Sequence, residues 1–486
     1  MFKIFVRFTW IFIAFICITP SLQAQKDLPQ DYLPASFHAG RRAALREKMP
    51  DSSVTVVFAF PMRNFSNDVD YNYHANPDFY YFSGYKEPNS VLLIFKEEQK
   101  DADGSAYSEI IFVQKRDAQE EQWTGRRLGV EGVKEKLGIN KAYNGEAFKD
   151  YKIDFSQFSK ILFAELPTDV ANTRNRADLY DLIEQFKVKA GITPETAKTK
   201  RYDNNAYNRI TGALREIKTP EEIVLLRKAV EISCQGQNEV MKALRPDMSE
   251  MEIQGIHEFV HKKYGAEGVG YGSIIGAGAN GCILHYWEST KTKVGKELVL
   301  MDVGAEYHGY TADVTRTIPA SGKFSPEEKI IYQLVYDAQE AAFKTLKDGS
   351  TWSAAETAAR NIITDGLLKL GVIKDKREAR KYFPHGLGHH LGLDVHDRSN
   401  YGTLKKDMVI TIEPGIYIPE GSDCDKKWWN IAVRIEDDAL ITQDGFELLS
   451  KFAPRSIAEI EKLMSQKSAL DNFKLPPLKS AEKKGF

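Results

Sequence analysis

The segment ELVLMDVGAEYHGYTADVTRTI, residues 297–318, places two aspartates inside apolar, strand-forming sequence. The run LVLMDVG predicts one β-strand and TADVTRTI predicts the returning strand of a hairpin, with Asp302 in the first and Asp313 in the second. Aspartate is depleted in strand interiors, and a buried carboxylate without a partner costs several kcal/mol. The hairpin therefore predicts either a satisfied structural acid or a functional site.

Two further segments show the same conflict between an apolar strand and an acid. MVITIEPGIYI (408–418) places Glu413 in a second predicted strand, and IAVRIEDDALI (431–441) places Glu436 in a third. One such acid is more often a satisfied structural residue. Several of them in one domain favour divalent cations, because two such ions cancel the charge of four carboxylates.

The segment HGLGHHLGLDVHD, residues 385–397, holds four of the ten histidines of the chain. His389 is predicted to add a neutral nitrogen ligand to the carboxylates. The complete predicted ligand set is Asp302, Asp313, His389, Glu413 and Glu436. This set is rich in hard oxygen, which favours Mn²⁺, Co²⁺ or Zn²⁺ and argues against a structural zinc cluster. Two ions about 3.5–4 Å apart hold a bridging hydroxide and polarise a carbonyl, so the predicted chemistry is hydrolysis.

A competing motif lies on a separate predicted helix. Residues His257-Glu258-Phe259-Val260-His261 match H-E-x-x-H, the helix motif of zinc proteases. No third ligand follows at the usual spacing. We interpret the motif as a coincidental helix surface.

The remaining sequence predicts two domains. Residues 25–210 read as an α/β domain, with strands at 54–60, 90–95 and 109–115 and helices at 179–189 and 202–218. In residues 211–466, predicted capping boxes recur at an interval of about 105 residues, which suggests two similar halves. The four boxes begin at Thr219, Ser249, Ser325 and Ser353. We expect a pseudo-twofold between the halves and a single curved sheet, followed by a polar tail at 467–486.

The amino terminus has the layout of a secretory signal peptide. Basic residues precede the apolar run Phe8–Ile18, and a small-residue cleavage site follows at Ala24. Segment 1–24 therefore predicts an exported protein without a membrane anchor after cleavage, and the periplasm is favoured over full secretion. The net charge of −2, with both signs interspersed, gives no indication of nucleic-acid binding. The three cysteines beyond the signal form no disulfide framework.

With the ligands placed, the second domain resembles the pita-bread metallopeptidases, which include methionine aminopeptidase, Xaa-Pro aminopeptidase and prolidase. The segments that carry the resemblance occur in family order: NGCILHY, MDVGAEYHGYTADVTRT, PHGLGHHLGLDVHD, TIEPGIYI and AVRIEDD. In the first domain, NPDFYYFSGYKEPNSVLLIF and WTGRRLG resemble the amino-terminal domain of the proline-specific branch. The resemblance implies an α+β fold: a carboxy-terminal pita-bread (creatinase/aminopeptidase-like) domain with pseudo-twofold halves, preceded by an α/β creatinase-N-like domain.

The resemblance also implies roles for individual residues. Asp302 chelates one ion, Asp313 and Glu436 bridge both, and His389 and Glu413 complete the other, with Glu413 also handling the proton of the bridging hydroxide. Around the metals, His285 and His396 flank the substrate carbonyl, and His385 lines the same pocket. Further implied substrate residues are Tyr271, Trp123, Arg434 and Tyr417. Trp123 matches a tryptophan that reaches a neighbouring subunit in oligomeric relatives, which implies a dimer or tetramer.

The leading hypothesis is an exported Xaa-Pro aminopeptidase that uses two divalent ions, most favourably Mn²⁺, on proline-containing peptides. The nearest alternative is prolidase, which accepts only X-Pro dipeptides. A more remote alternative is a non-catalytic peptide-binding module. That alternative predicts substitutions in the ligand set, whereas all five predicted ligands are present.

Overall fold

The computed structural model describes residues 29, 31–101, 103–473 and 475–476. Segment 1–24, predicted to be a signal peptide, lies outside the described residues, as does part of the predicted polar tail. The elements below all belong to one compact unit that begins at Pro34. Among the described helices, none combines the length and the apolar character needed to cross a membrane. The domain boundary near residue 210 stays a prediction.

The amino-terminal part is a mixed sheet flanked by helices. Its strands are β1 (Ser53–Phe58), β2 (Asn64–Ser66), β3 (Val69–Asp70), β4 (Val91–Lys100), β5 (Ala106–Val113), β6 (Ala142–Asn144) and β7 (Lys160–Leu162). Its helices are α1 (Ala35–Lys48), α2 (Pro77–Ser83), α3 (Ala118–Thr124), α4 (Gly129–Gly132), α5 (Leu179–Ala190) and α6 (Asn204–Arg215). Five strands form the main sheet in the order β6-β5-β4-β1-β7.

The three predicted apolar runs form the centre of this sheet as β1, β4 and β5. Strand β4 pairs antiparallel with both β1 and β5, while β7 and β6 join the outer edges in parallel. Every residue of β1 is buried, including the polar Ser53 and Thr55, so neither face of this strand is exposed to solvent. The predicted α/β class of this part is confirmed.

The carboxy-terminal part carries the remaining elements. Its helices are α7 (Pro220–Ala243), α8 (Glu250–Lys263), α9 (Pro326–Phe343), α10 (Trp352–Lys369) and α11 (Ile457–Met464). Its strands are β8 (Gly268–Val269), β9 (Ile274–Ala277), β10 (Leu298–Val303), β11 (Ala305–Tyr307), β12 (Tyr310–Thr311), β13 (Val314–Pro319), β14 (Val409–Ile412), β15 (Gly415–Ile418), β16 (Ile431–Arg434), β17 (Asp437–Ile441) and β18 (Phe446–Leu448). Two helices precede the strands in each half.

The helix starts match the predicted capping pattern in three of four places. Thr219 and Ser325 complete capping boxes, and Ser249 caps α8 by accepting from the backbone N–H of Glu252. The fourth predicted box, at Ser353, is wrong, because Thr351 is the N-cap of α10. A β-bridge to Thr403 holds Thr351 in the extended conformation that an N-cap requires.

The strands of the two halves do not form the single curved sheet that we expected. They form short sheets instead: β9-β10-β13 and β14-β17-β18, with β8-β11-β12 and β15-β16 beside them. The sheets are interrupted where predicted acidic residues interrupt the strands. Individual hydrogen bonds still connect the halves, such as the one from Glu436 N–H to the Thr315 carbonyl at 3.1 Å.

A pair of buried glutamines supports the twofold relation between the halves. Gln237 on α7 and Gln339 on α9 are both fully buried, and each donates its amide to two backbone carbonyls at 2.8–3.1 Å. The acceptors are Met301 and Val314 for Gln237, and Ile412 and Ile435 for Gln339. Each acceptor is next in sequence to one of the four predicted acidic ligands. Equivalent helices therefore fix equivalent strand positions in both halves.

The H-E-x-x-H motif is not a helix surface, which corrects our interpretation. His257 and His261 are 0% and 1% exposed, and neither ring nitrogen of either residue has a hydrogen-bond partner among the described residues. Both rings lie against Gly236 of α7, where an added Cβ would be only 3.0–3.1 Å from their nitrogens. The small residue admits two imidazoles into the contact between α7 and α8. Glu258 faces away and bonds to Gln254.

These buried imidazoles predict a loss of stability in acid. Burial lowers the pKa of His261 from 6.5 to about 4. Between pH 6.5 and pH 4, therefore, His261 is protonated in the unfolded chain and neutral in the folded chain. The folded state therefore loses up to about 1.4 kcal/mol per pH unit at this one residue as the pH falls towards 4. We expect His261→Phe to lose less stability than the parent between pH 7 and pH 5, measured as the shift of the urea midpoint.

His74→Gln is the matched control. A hydrogen bond to Glu306 raises the pKa of His74, so His74 stabilises the fold at low pH and its removal acts with the opposite sign. Equal pH dependence of the His261→Phe variant and the parent would contradict the assignment of acid sensitivity to this contact.

Candidate metal centre

Three of the four predicted acids lie where strands are interrupted, and the fourth lies within a strand. Only Asp302 lies within a strand, β10. Asp313 immediately precedes β13, Glu413 separates β14 from β15, and Glu436 separates β16 from β17. The expectation that each acid lies inside a strand is therefore wrong for three of the four. A strand interruption frees the local backbone from the ladder, which lets the carboxylate turn inward.

Tyr271 and Thr315 hold three of these carboxylates in place. The Tyr271 hydroxyl lies 2.6 Å from Asp302 and 2.5 Å from Asp313, so it joins the two acids of the first half. The Thr315 hydroxyl donates to Glu436 at 2.6 Å across the junction of the halves. Each acid keeps a further oxygen that is not used by these two donors.

His389 enters the centre from the glycine-broken segment. The His389 carbonyl accepts from the N–H of Thr411 in β14, and the Leu387 carbonyl accepts from Glu413 N–H at 2.8 Å, so this segment runs antiparallel to β14. Gly388 is required there, because an added Cβ would lie 2.0 Å from the Thr411 carbonyl oxygen. The His389 Nδ1 atom bonds to the His390 carbonyl at 3.1 Å. Nε2 is thereby directed at the acids, 3.4 Å from Asp313 and 3.7 Å from Glu413.

The electrostatics of this cluster favour bound cations. Burial, reinforced by neighbouring carboxylates, raises the pKa of Glu436 well above its usual range and the pKa of Glu413 to about 7. Burial and the Asp302 carboxylate also raise the pKa of Asp313. Burial opposes the charge on His389, yet the Asp313 carboxylate raises the pKa of that imidazole to about 9. A positive charge next to these carboxylates therefore stabilises the cluster.

The donor set fits divalent metal ions. Ligand atoms of Asp313, His389 and Glu436 all lie within 4.8 Å of one another, and all three residues are buried. Asp302 is connected to Asp313 of this group by the Tyr271 hydroxyl. Glu413 lies 3.7 Å from His389 Nε2. Carboxylate oxygens with one imidazole are the donors that Mn²⁺, Co²⁺ and Zn²⁺ accept.

Arg434 is the fixed cation beside this cluster. It donates to Asp302 at 2.5 Å and to the Tyr417 hydroxyl at 2.9 Å, and it is buried. The hydroxyl in turn lies 2.8 Å from His385 Nε2. Burial, followed by the charge of Arg434, lowers the pKa of His385 to about 4, so the imidazole is neutral near pH 7. Its Nδ1 lies 3.5 Å from Glu413.

Two further histidines stand at the exposed side of the cluster. The His396 ring packs edge-on against the His389 ring, with centroids 4.2 Å apart. His285 is exposed and stacks on Trp287 at 5.8 Å. Both rings keep a solvent-exposed face that a substrate could contact. His390 instead packs in the interior, between Trp352 and Tyr401.

Trp123 is not brought to this centre. It lies on α3 of the amino-terminal part and is 85% exposed. Its predicted role in substrate binding depends on a second copy of the chain and stays a prediction.

Several supporting residues were missed from the sequence. Asp438 accepts from Asp313 N–H at 3.2 Å and is fully buried, and burial raises its pKa well above the usual range. Glu250 is buried on α8 and accepts from Ala277 N–H, Asn280, Tyr286 and Lys291 N–H, which fixes the loop that carries His285. The third consecutive acid in RIEDD was a usable signal for Asp438, whereas Glu250 looked like an ordinary first-turn glutamate.

Comparison with known proteins agrees with this geometry. The model of metallopeptidase family M24 matches residues 224–443, and the model of the aminopeptidase P amino-terminal domain matches residues 38–161. The chain belongs to metallopeptidase family M24 and is a metallo-aminopeptidase with both of these domains. The resemblance stated from the sequence and the expected fold class are confirmed.

Similar proteins include Xaa-Pro aminopeptidases that this chain matches over nearly their whole length. The Xaa-Pro aminopeptidase of Haemophilus influenzae is 36% identical over 447 residues, which cover 89% of this chain and 98% of that protein. The structure of Escherichia coli aminopeptidase P with the inhibitor Pro-Leu has a TM-score of 0.78 at 32% identity and covers 89% of this chain and 98% of that one. A zinc-substituted form of the E. coli enzyme in complex with product has a TM-score of 0.77, with the same identity and coverage.

The clustered charge predicts opposite effects of one substitution with and without metal. In chelator-treated protein, Glu436→Gln removes one of four mutually repelling acids while the side chain keeps an oxygen for Thr315, so the variant should unfold about 2 °C higher than the parent at pH 8. In metal-loaded protein the same variant should unfold lower, because it has lost a ligand. Differential scanning fluorimetry with and without added Mn²⁺ measures both effects.

Glu420→Gln is the control, since Glu420 is exposed in the loop after β15. It should change neither midpoint. A Glu436→Gln variant that unfolds lower than the parent in both conditions would contradict the repulsion that we assign to the cluster.

Proposed function

We propose that the protein is an exported Xaa-Pro aminopeptidase that holds two divalent cations, most favourably Mn²⁺, and removes the first residue of peptides whose second residue is proline. The observation that carries the proposal is the convergence of the buried Asp302, Asp313 and Glu436 and the half-buried Glu413 with His389 Nε2, beside two exposed histidines. The similarity to Xaa-Pro aminopeptidases over nearly the whole length of those proteins supports the choice of substrate.

The ligand assignment is the one that the resemblance to the pita-bread metallopeptidases implies, and the proximity of Asp313, His389 and Glu436 supports it. Asp302, Asp313 and Glu436 would hold one ion, and Asp313, Glu436, His389 and Glu413 the other, so that Asp313 and Glu436 are shared. Bound there, the cations would supply an activated water and a Lewis acid for the scissile carbonyl. The buried Arg434 fixes Asp302 by a charge-assisted hydrogen bond.

The protein's own side chains account for proton movement. Glu413 has one oxygen near His389 and the other near His385, so it can accept a proton at the centre and hold it. An X-Pro bond is a tertiary amide whose nitrogen must be protonated before it leaves. Burial, followed by the neighbouring His389, lowers the pKa of His396, so its imidazole is neutral near pH 7 and can relay that proton. His285 faces the same exposed side.

The nearest alternative is a dipeptidase specific for X-Pro, and peptide length separates the two. We expect the Mn²⁺-loaded protein to cleave X-Pro-Y-Z at a rate equal to or above that for X-Pro, and to leave X-Ala-Y-Z intact. Release of the first residue, followed by chromatography, measures each rate. Activity confined to the dipeptide would establish the alternative.

The matched variants test the site itself. Asp313→Asn should abolish this cleavage, whereas Asp423→Asn, in an exposed loop of the same domain, should leave it unchanged. Cleavage that survives Asp313→Asn would contradict the assigned centre.

The cellular location and the assembly are part of the proposal. The composition of segment 1–24 supports export, and we favour the periplasm. The exposed Trp123 supports a dimer or tetramer in which it meets the substrate of a neighbouring copy.

A further inference from the structure

A buried ionic network lies behind His396 and joins three parts of the chain. At its centre is Arg215, the last residue of α6, which is only 2% exposed. Its guanidinium reaches Asp78 of α2 at 2.7 Å, Asp394 at 2.8 Å and Asp397 at 3.1 Å. A single side chain therefore ties the amino-terminal domain to the loop that carries His396.

Asp394 and Asp397 flank His396 in the sequence. Asp397 directly follows it, Asp394 lies two residues before it, and Arg215 binds both. Asp397 is also held by Lys218 at 2.8 Å, and its backbone N–H donates to the His390 carbonyl at 2.8 Å. The loop packs closely, because a Cβ on Gly392 would lie 2.3 Å from Asp397 Oδ2. The backbone on both sides of His396 is thus fixed while its ring stays exposed.

The charges of this network are balanced within the protein. The three carboxylates of Asp78, Asp394 and Asp397 face three cations, namely Arg215, Lys218 and Arg398. Tyr207 adds a hydroxyl at 2.8 Å from Asp78. These three acids are therefore neutralised by protein cations and need no metal ion, in contrast to the carboxylates of the candidate metal centre. The planar guanidinium of Arg215 has several N–H donors in fixed directions, which allows this one residue to contact three acids. An ammonium group cannot reproduce these contacts.

We propose that Arg215 is a positioning residue for the peptidase reaction, which acts through the Asp394–Asp397 loop to hold His396 at the substrate side of the centre. The inference rests on the proposed function, since it assigns Arg215 to the presentation of a histidine that touches substrate. It also gives the amino-terminal domain a part in catalysis within a single chain, through Asp78. A displacement of about 1 Å at a catalytic group costs up to about a hundredfold in rate.

The test is a double-mutant cycle between Arg215→Lys and His396→Ala. Arg215→Lys keeps the charge and loses the fork, and we expect kcat for X-Pro-Y-Z to fall about tenfold or more with KM within about twofold. In the His396→Ala background the same change should alter kcat by less than about twofold, because the residue through which it acts is gone. Equal losses in both backgrounds would show a general structural role and overturn the inference.

Three further readouts keep the result interpretable. Hydrogen exchange of segment 391–398 should rise in Arg215→Lys, while the bound-metal content stays that of the parent and thermal unfolding stays cooperative, with a lower midpoint because buried hydrogen bonds are lost. If His396→Ala leaves too little turnover for the cycle, unchanged exchange in this segment overturns the inference by itself. A parent protein that fails to cleave X-Pro-Y-Z contradicts the proposed function instead, and the exchange experiment still decides the role of Arg215.

Arg42→Lys is the matched control. Arg42 is 1% exposed, donates to the Phe82 carbonyl at 2.8 Å and pairs with Glu109, so it is an equally buried arginine of the amino-terminal domain. It lies outside the network behind His396. Its substitution should leave kcat and the exchange of segment 391–398 unchanged.

Discussion

Mutual repulsion among buried carboxylates is the constraint on which the carboxy-terminal domain depends. Four acids converge in a volume that also contains His389, and Arg434 is the fixed cation among them. Hydrogen bonds from Tyr271 and Thr315 orient the acids without neutralising them. Divalent ions remove the repulsion. The clustered carboxylates therefore determine both the stability of this part of the fold and the chemistry of the site.

The scaffold around the acids is organised to resist that repulsion. In each half a buried glutamine of the first helix donates to the carbonyls of two residues adjacent to the acids, so these two segments cannot separate without breaking two buried hydrogen bonds. Outside the centre, Glu250 fixes the loop of His285 and Arg215 fixes the loop of His396. The rings of His285 and His396 are thereby exposed while the loops that carry them are held in place.

Much of this arrangement could be predicted from the sequence. Acids in apolar strands conflict with local propensity, and such conflicts concentrate at functional sites, which is why Asp302, Glu413 and their partners were recognisable. The interruption of the sheet at those acids was not predictable, because periodicity does not reveal where a strand breaks. The burial of His257 and His261 was also missed, since it depends on Gly236 of another helix. Arg215 looked like any basic residue at the end of a helix, because its three partners are distant in sequence.

The central claim is that paired cations neutralise the acids, and the metal content of active protein tests it most directly. Protein purified without added metal, dialysed against chelator and then reloaded should bind two divalent ions per chain by inductively coupled plasma mass spectrometry. Turnover should rise in proportion to occupancy. Full turnover in protein with less than about a tenth of an ion per chain would contradict the account.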